Sequence, residues 1–522
     1  MGISEQVQIL AKRHWLLVPL LIVGTFATGF QAIPIFTWLF FPLILAYSRQ
    51  SWLHVVVASI VATLTTTISI LGLLDGIYDQ PGIQHPWIVL GFVALDKIIF
   101  VLSLAADKLC ATSQWRRVLV FPSVWAGISQ VYMSWGPFGD SITFSNTVTA
   151  TWPALAQTAS LGGRALIEFL IAMFGTVALE LPTVADALTS YPLLEAADNN
   201  AKWRQLLPLK THPVTVYTLL TLFVSIYGGA VVNIRDGSFY QTKYPDFMPE
   251  TVPVGCVIGP GGIHFELQAD HDRWLNMSAK LADAGAKIIL WSEEAAMTKD
   301  PEDEASLLSK AAETAKEHGI YLAIAYDRIA EDLQDVQNKL VVFRPNGEIG
   351  IEYNKAYPVP LVEPQPHGER RLPYMDTPEF GRIGAGICFD YNFPAYIRQA
   401  SVNDIDVMLQ AAWSWGPIGT YHGWSNALRP IENGFTQFRC SSQSLSGVFE
   451  NTANGLFEQH IASLTNSAYM FNLPLQKRKR TLYGLIGNTF GYASFLAGLG
   501  FVGYTLYEKI ANKRQQGIFL PE

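Results

Sequence analysis

Residues 382–398, RIGAGICFDYNFPAYIR, decide how the chain reads. The apolar run Ile383 to Ile387 has the length of a buried strand. It ends on Cys388, and Asn392-Phe393-Pro394 then opens a helix, because proline is tolerated in a first helical turn. A cysteine at a strand-to-helix turn can present its sulfur outward, and helix amides favour a thiolate there. A buried, inert thiol is the more usual fate of cysteine. On this stretch alone the two readings stand level.

Outward from it, strand-length apolar runs recur: VPVGCVIG, KIILW, IYLAIAY, KLVVF, RIGAGI and DVMLQ. Helical stretches such as 265–284 and 304–318 separate them, and PNGEIG (345–350) is a tight hairpin turn. Strand and helix in alternation predict an α/β layered domain over residues 236–475.

Residues 1–235 carry seven apolar segments: 15–30, 34–47, 52–74, 87–104, 118–135, 165–184 and 214–232. Several approach the roughly 20 residues that cross a bilayer. A final run, 482–507 within 476–522, makes an eighth. A signal peptide accounts for one such segment, not eight, so a polytopic α-helical membrane domain is expected. Composition agrees: half the chain is hydrophobic, 15% is charged and mean hydropathy is +0.21, too apolar for an ordinary soluble enzyme. A net charge of −8 gives no reason to expect nucleic acid.

Lys12, Arg13, Arg49, Lys108, Arg116, Arg117, Lys202, Arg204 and Lys210 fall in alternate loops. By their bias the N-terminus is cytoplasmic and the α/β domain lies on the opposite side. The basic run Lys477 to Arg480 conflicts with that orientation. Ionisable groups at membrane depth are costly and often functional. Pairing with neighbours accounts for Asp96-Lys97 and Glu180, while Glu168 stays open. The aromatic-rich loop 135–152 is expected to face the α/β domain.

The four cysteines, Cys110, Cys256, Cys388 and Cys440, are far apart with no CxxC pair. Neither a zinc site nor a disulfide framework is indicated. There is no P-loop, HExxH or GxSxG, and no cofactor or metal is expected.

Reactive groups stand at three strand ends. KIILWSEEAAM places Glu293 and Glu294 after a buried strand, and IEYNKAYPVPLVEP places Lys355 after the hairpin with Glu363 eight residues on. GICFD adds the thiol. A thiol nucleophile needs a base, and its tetrahedral intermediate needs a positive charge or amide donors. Glu, Lys and Cys meet these needs without histidine or metal, although each taken singly is more often a surface charge or a core thiol.

In order and spacing, WSEE, YNK and GICFD resemble the Glu-Lys-Cys triad of the nitrilase (carbon-nitrogen hydrolase) superfamily, whose strings run approximately WPE, K and IC[YF][DE]. Ser292 replaces the common proline. The resemblance implies an α-β-β-α sandwich with Glu293, Lys355 and Cys388 catalytic, and Glu363, Phe389 and Asp390 supporting them. Seven membrane segments before such a domain and one after resemble the apolipoprotein N-acyltransferases, which add the third acyl chain to bacterial lipoproteins. VPLVEP looks like that family's VPFGEYVP, so Glu363 matches its second essential glutamate. His422, Arg429 and Glu432 in HGWSNALRPIE look like its helix after the nucleophile, and TWPALAQTASLGGRALIEFLI resembles its loop and sixth helix. With Trp415, these three residues are implied to bind substrate, and Trp413 and Trp424 to line an acyl path. The departures lie where an acceptor would bind: Phe389-Asp390 stands for Tyr-Glu, and AAWSWGP keeps Trp415 but loses polar residues.

The implied reaction moves an acyl chain from a phospholipid through a Cys388 thioester to an amine, that of a lipoprotein or a related acceptor. It would run on the non-cytoplasmic face of the bilayer: periplasmic in a bacterium, lumenal or extracellular in a eukaryotic cell. A membrane-anchored amidase or nitrilase would use the same triad with water as acceptor. A non-catalytic scaffold is a third reading, against which an intact triad argues.

Overall fold

The computed structural model describes residues 9, 12, 14–29, 32–71, 86–140, 143–182, 212–240, 250–261, 265–329, 335–414 and 417–515. Trp415, Arg13, Lys202, Arg204 and Lys210, singled out above, lie outside them.

The N-terminal part is helical: Leu17–Thr25, Pro34–Ser48, Trp52–Leu71, Pro86–Asp96, Ile98–Cys110, Gln114–Trp135, Ala159–Ala178 and Pro213–Tyr240, with Thr489–Gln515 following the α/β domain. Among the described residues three helices, not the eight expected, are long and apolar enough to cross a membrane: Trp52–Leu71, Ala159–Ala178 and Pro213–Val232. The reasons are local. The first two segments are helices of only 9 and 15 residues. The fourth is interrupted at Lys97, whose Nζ pairs with Asp96 at 2.9 Å. The fifth and eighth gain polar ends in Arg116 and Glu508, which pair at 2.7 Å. Glu180 pairs with Arg117 at 3.0 Å. Glu168 accepts from the Trp125 indole (2.9 Å) and the Ser145 amide (2.8 Å), so both its oxygens are engaged inside the bundle.

Helix Trp52–Leu71 is built inside out. Ser59, Thr65, Thr66 and Ser69 are buried, while Leu53, Val56, Ile60, Leu64 and Ile68 are exposed. A helix on a water-soluble domain shows the reverse, and a hydrocarbon surround favours this one.

Among the described residues thirteen strands form two sheets. The first holds β1 (Thr251–Ile258), β2 (Ile288–Trp291), β3 (Ala296–Thr298), β4 (Tyr321–Arg328), β5 (Gln337–Phe343), β6 (Ile349–Asn354) and β13 (Ser467–Pro474). The second holds β7 (Tyr374–Thr377), β8 (Gly381–Ile387), β9 (Val407–Trp413), β10 (Thr436–Ser442), β11 (Ser444–Phe449) and β12 (Gln459–Ser463). Their orders are β13-β1-β2-β4-β5-β6, with β3 on β4, and β12-β11-β10-β9-β8-β7. All six apolar runs named from sequence are strands, and PNGEIG is the β5–β6 turn, with Gly347 at φ +84.

Strands β1, β2 and β4 run parallel, as do β8, β9 and β10, so the residues leaving β2 and β8 emerge at strand C-terminal ends. Amphipathic helices His271–Asp283 and Pro301–His318 pack on the first sheet. Asp270 and Asp300 cap them by accepting from first-turn amides. The second sheet carries the turn at Cys388 and short helices, including Pro417–Asn426.

Cys256 of β1 and Cys440 of β10 form a disulfide, which corrects the expectation of none. Their sequence separation of 184 hid the pair. The sandwich lays β1 against β10, so the two thiols meet across one core.

Loop 135–152 does face the α/β domain. The Asp140 amide donates to the Asn392 carbonyl (2.7 Å), and the Thr143 amide to the Tyr421 hydroxyl (2.9 Å). Beside it lies a buried ion network in which Asp140 pairs with both Arg164 and Arg429, and Arg429 also with Glu432. Helix Ala159–Ala178 bends at Gly162-Gly163, which brings the Arg164 amide to Glu432 (3.0 Å). Asp140→Asn leaves two buried guanidinium groups facing one carboxylate, and a loss of about 3–5 kcal/mol is expected. Thermal unfolding in detergent measures it; an unchanged midpoint would mean the network does not hold the seam.

Candidate active site

Cys388 sits on a strained elbow. Its φ is +42, a left-handed value uncommon outside glycine. The following residues, Cys388–Asn392, form a 3-10 turn, and helix Pro394–Ile397 is only four residues long. The helix expected to favour the thiolate is therefore replaced by a turn. Asp390 builds that turn by accepting from the Ile387 amide (2.8 Å), the Tyr357 amide (2.9 Å) and the Tyr353 hydroxyl (2.7 Å). Burial raises its carboxyl pKa to about 7, against the pull of these donors.

Three strand ends converge here. Lys355, one residue past β6, places Nζ 2.7 Å from Glu293 Oε1 and 2.6 Å from Glu363 Oε1. Glu293 also accepts from the Asn338 amide group (2.8 Å) and, through Oε2, from the Trp413 backbone N–H (2.8 Å). The Trp413 carbonyl in turn accepts from the Cys388 thiol at 3.3 Å. One residue of β9 thus ties the Glu293 carboxylate to the Cys388 thiol. Glu293, Lys355 and Cys388 are all at most 5% exposed, so their charges act through little water.

Burial would lower the Lys355 pKa, but Glu293 and Glu363 outweigh it and hold the amine charged. Burial pushes the Cys388 thiol up, Glu293 adds to this, and Lys355 and Arg439 oppose it. The arrangement offers a fixed cation for an oxyanion and a carboxylate base beside a thiol, with no metal needed for either role.

With that geometry, residues 256–442 match the family described as carbon-nitrogen hydrolase. Residues 256–442 are a carbon-nitrogen hydrolase domain. A formamidase from Bacillus cereus (strain B4264) is 26% identical over 145 residues, which cover 26% of this chain and 43% of that protein. A formamidase from Bacillus anthracis (strain CDC 684 / NRRL 3495) is 24% identical over the same span. The chain thus spans less than half the length of these curated relatives. The crystal structure of an amidase from Nesterenkonia sp. is 18% identical, covers 43% of this chain and 90% of its own, and has a TM-score of 0.37.

Within the carbon-nitrogen hydrolase domain the other residues named from sequence divide. Glu363 joins the cluster, beside Leu361, which is 81% exposed. Asp390 supports the Cys388 turn through the Ile387 and Tyr357 amides. Phe389 packs edge-on against Phe393 (5.6 Å). His422 is within 2.9 Å of the Asn392 side chain and 3.0 Å of Asn426, so it braces the end of the turn. Burial first, then Arg439 and Lys355, hold it neutral. Arg429 and Glu432 are spent in the seam network and fully buried, which is a structural use in place of the substrate contact implied for them. Trp424 lies edge-on to His460 (4.8 Å), and Trp413 packs against Gly261.

Sequence reading missed Asn338, Asp327 and Arg439. Each stands beside other polar residues on its strand, in QNKLVVF, YLAIAYDR and TQFRCSS, so no break in pattern marked it. Asp327 and Glu294 lie among the site carboxylates. Burial raises both, Asp327 and Glu293 add to it for Glu294, and Glu293 and Glu363 do so for Asp327.

Proposed function

We propose that this chain is a membrane-embedded acyltransferase that moves a fatty acyl chain from a phospholipid through Cys388 to an amine, that of a lipoprotein or a related acceptor. One observation carries the reading: the nucleophile turn is docked on the apolar helical part, with the Asp140 amide bonded to the Asn392 carbonyl at 2.7 Å. A soluble amide would need no such helices against the nucleophile. Helices with apolar outer faces, such as Trp52–Leu71 and Pro213–Val232, give a lipid substrate a route to it.

In the first half-reaction Glu293 takes the Cys388 proton, and the thiolate attacks the ester carbonyl. Lys355 stabilises the oxyanion. The C–O bond breaks, and the leaving lysophospholipid alkoxide takes the proton from Glu293. In the second, an amine attacks the thioester, gives its proton to Glu293, and the thiolate leaves to be reprotonated. Glu363 holds Lys355 in place.

The proposed topology has a cytoplasmic N-terminus and the catalytic domain on the other side of the bilayer. The Cys256–Cys440 disulfide supports an oxidising compartment for that domain. The conflicting basic run is engaged by the domain itself: Lys477 and the Arg478 amide reach Asp406 (3.4 and 2.8 Å), and Arg478 pairs with Asp404. That supports reading it as part of the fold and not as a topological signal.

A membrane-anchored amidase is the second reading, favoured by the formamidases among the relatives. Intact mass of the detergent-solubilised protein after incubation with a defined phospholipid, beside Cys388→Ala, separates the two. A hydroxylamine-labile acyl adduct absent from Cys388→Ala is expected. No adduct with phospholipid, together with ammonia release from short amides, would overturn acyl transfer in favour of the amidase.

A further inference from the structure

Strand β10 reads TQFRCSS, and adjacent residues on it face opposite ways. Cys440 points between the sheets to Cys256, so Arg439 points to the other face. In register across the second sheet, Arg439 lies beside Gln410 of β9, and Gln410 beside Gly386 of β8. These three share a face, and the nucleophile turn folds over it. The Gln410 amide donates to the Cys388 carbonyl (3.2 Å), and a Cβ on Gly386 would stand 3.2 Å from the Tyr391 ring. The guanidinium therefore lies in the layer directly under the nucleophile.

Arg439 is fully buried, yet its hydrogen bonds run only to neutral acceptors: the Leu445 carbonyl (2.9 Å) and the Ser441 and Ser444 hydroxyls (3.4 and 3.3 Å). Among the described residues its Nη1 has no hydrogen-bond partner and no carboxylate pairs with it. Compare Arg164 and Arg429, equally buried, which share Asp140. A buried cation without a counter-ion is costly and needs another source of compensation. The charges around Cys388 supply one. Glu293 and Glu363 face it against Lys355 alone, and His422 is neutral, so a thiolate would form in a net negative surround. Arg439 cancels that excess.

We propose that Arg439 is a positioning residue for the nucleophile: its charge beneath the Cys388 turn, which no carboxylate pairs, favours the thiolate, and later the oxyanion formed on it, beyond what Lys355 supplies. The inference rests on Cys388 being the nucleophile.

The test uses the full chain in detergent, in a Cys110→Ser background because Cys110 is the other free thiol. Iodoacetamide alkylation of Cys388 is followed by peptide mass spectrometry from about pH 5.5 to pH 10.5, a range chosen to bracket the ordinary cysteine value. In Arg439→Gln the midpoint is expected to rise by about one pH unit or more, roughly a tenfold loss of rate near neutrality. Arg439→Lys, which keeps the charge, recovers most of it. Arg439→Met serves if the glutamine variant does not fold. A folded Gln or Met variant with the wild-type midpoint overturns the inference, as does a folded Lys variant shifted as far as Gln. A wild-type Cys388 that resists alkylation at every pH overturns it together with the nucleophile reading.

Discussion

Lys355→Met will lose turnover and stability together, and the two losses will part on a second substitution. Among the described residues the amine is the one cation hydrogen-bonded to Glu293 and Glu363, and removing an oxyanion-stabilising group costs about 10²–10³ in rate. Breaking a buried pair from one side costs about 3–5 kcal/mol, because the partner charges stay buried. The stability loss has a pH signature. Glu363, Glu294 and Asp327 already have raised carboxyl pKa values through burial, and Lys355 pulls each of them down. Without it they rise further. A carboxyl whose folded pKa exceeds its unfolded value of about 4 stabilises the fold at low pH, and that contribution is lost as pH rises toward the folded value. The deficit of Lys355→Met against wild type is therefore expected to grow from pH 5 to pH 8 in thermal unfolding. Adding Glu363→Gln recovers part of the stability and none of the activity. A deficit that does not change with pH would mean Lys355 is not what compensates these carboxylates.

The second large effect belongs to the disulfide. Cys256 and Cys440 close a loop across 184 residues, and the chain-entropy model puts the stabilisation from such a crosslink at about 5 kcal/mol. Cys256→Ala with Cys440→Ala should lower the unfolding midpoint by a comparable amount, and reductant should lower the wild type toward it. If denatured wild-type protein titrates with four free thiols, the crosslink is absent, and the support it lends to an oxidising compartment goes with it.

Much of the candidate site was legible because its reactive groups are carried by short strings at strand ends. WSEE, YNK and GICFD each follow an apolar run, so Glu293, Lys355 and Cys388 were readable as a set before any geometry. Substrate-side residues were harder. His422, Arg429 and Glu432 sit on short helices after β9, where a polar residue can face a ligand, a seam or a neighbouring loop with no difference in local pattern. In the structure they brace Asn392 and Asp140. Strands β10 to β13 escaped because TQFRCSS and its neighbours look polar although β10 is buried throughout.

What the sequence determined by itself is what depends on near neighbours along the chain: strand and helix periods, the hairpin at Gly347, the apolar helical part and the Glu, Lys and Cys strings at strand ends. What only the tertiary structure decided depends on distant segments meeting. The disulfide joins β1 to β10, Trp413 bridges Glu293 and Cys388, Asp140 anchors the helical part under the Cys388 turn, and Arg439 comes to lie beneath it with no carboxylate partner among the described residues. The physical reason is the same in each case. Periodicity reports which face a residue shows, whereas the partner on that face is chosen by sheet register and by the packing of one sheet on another.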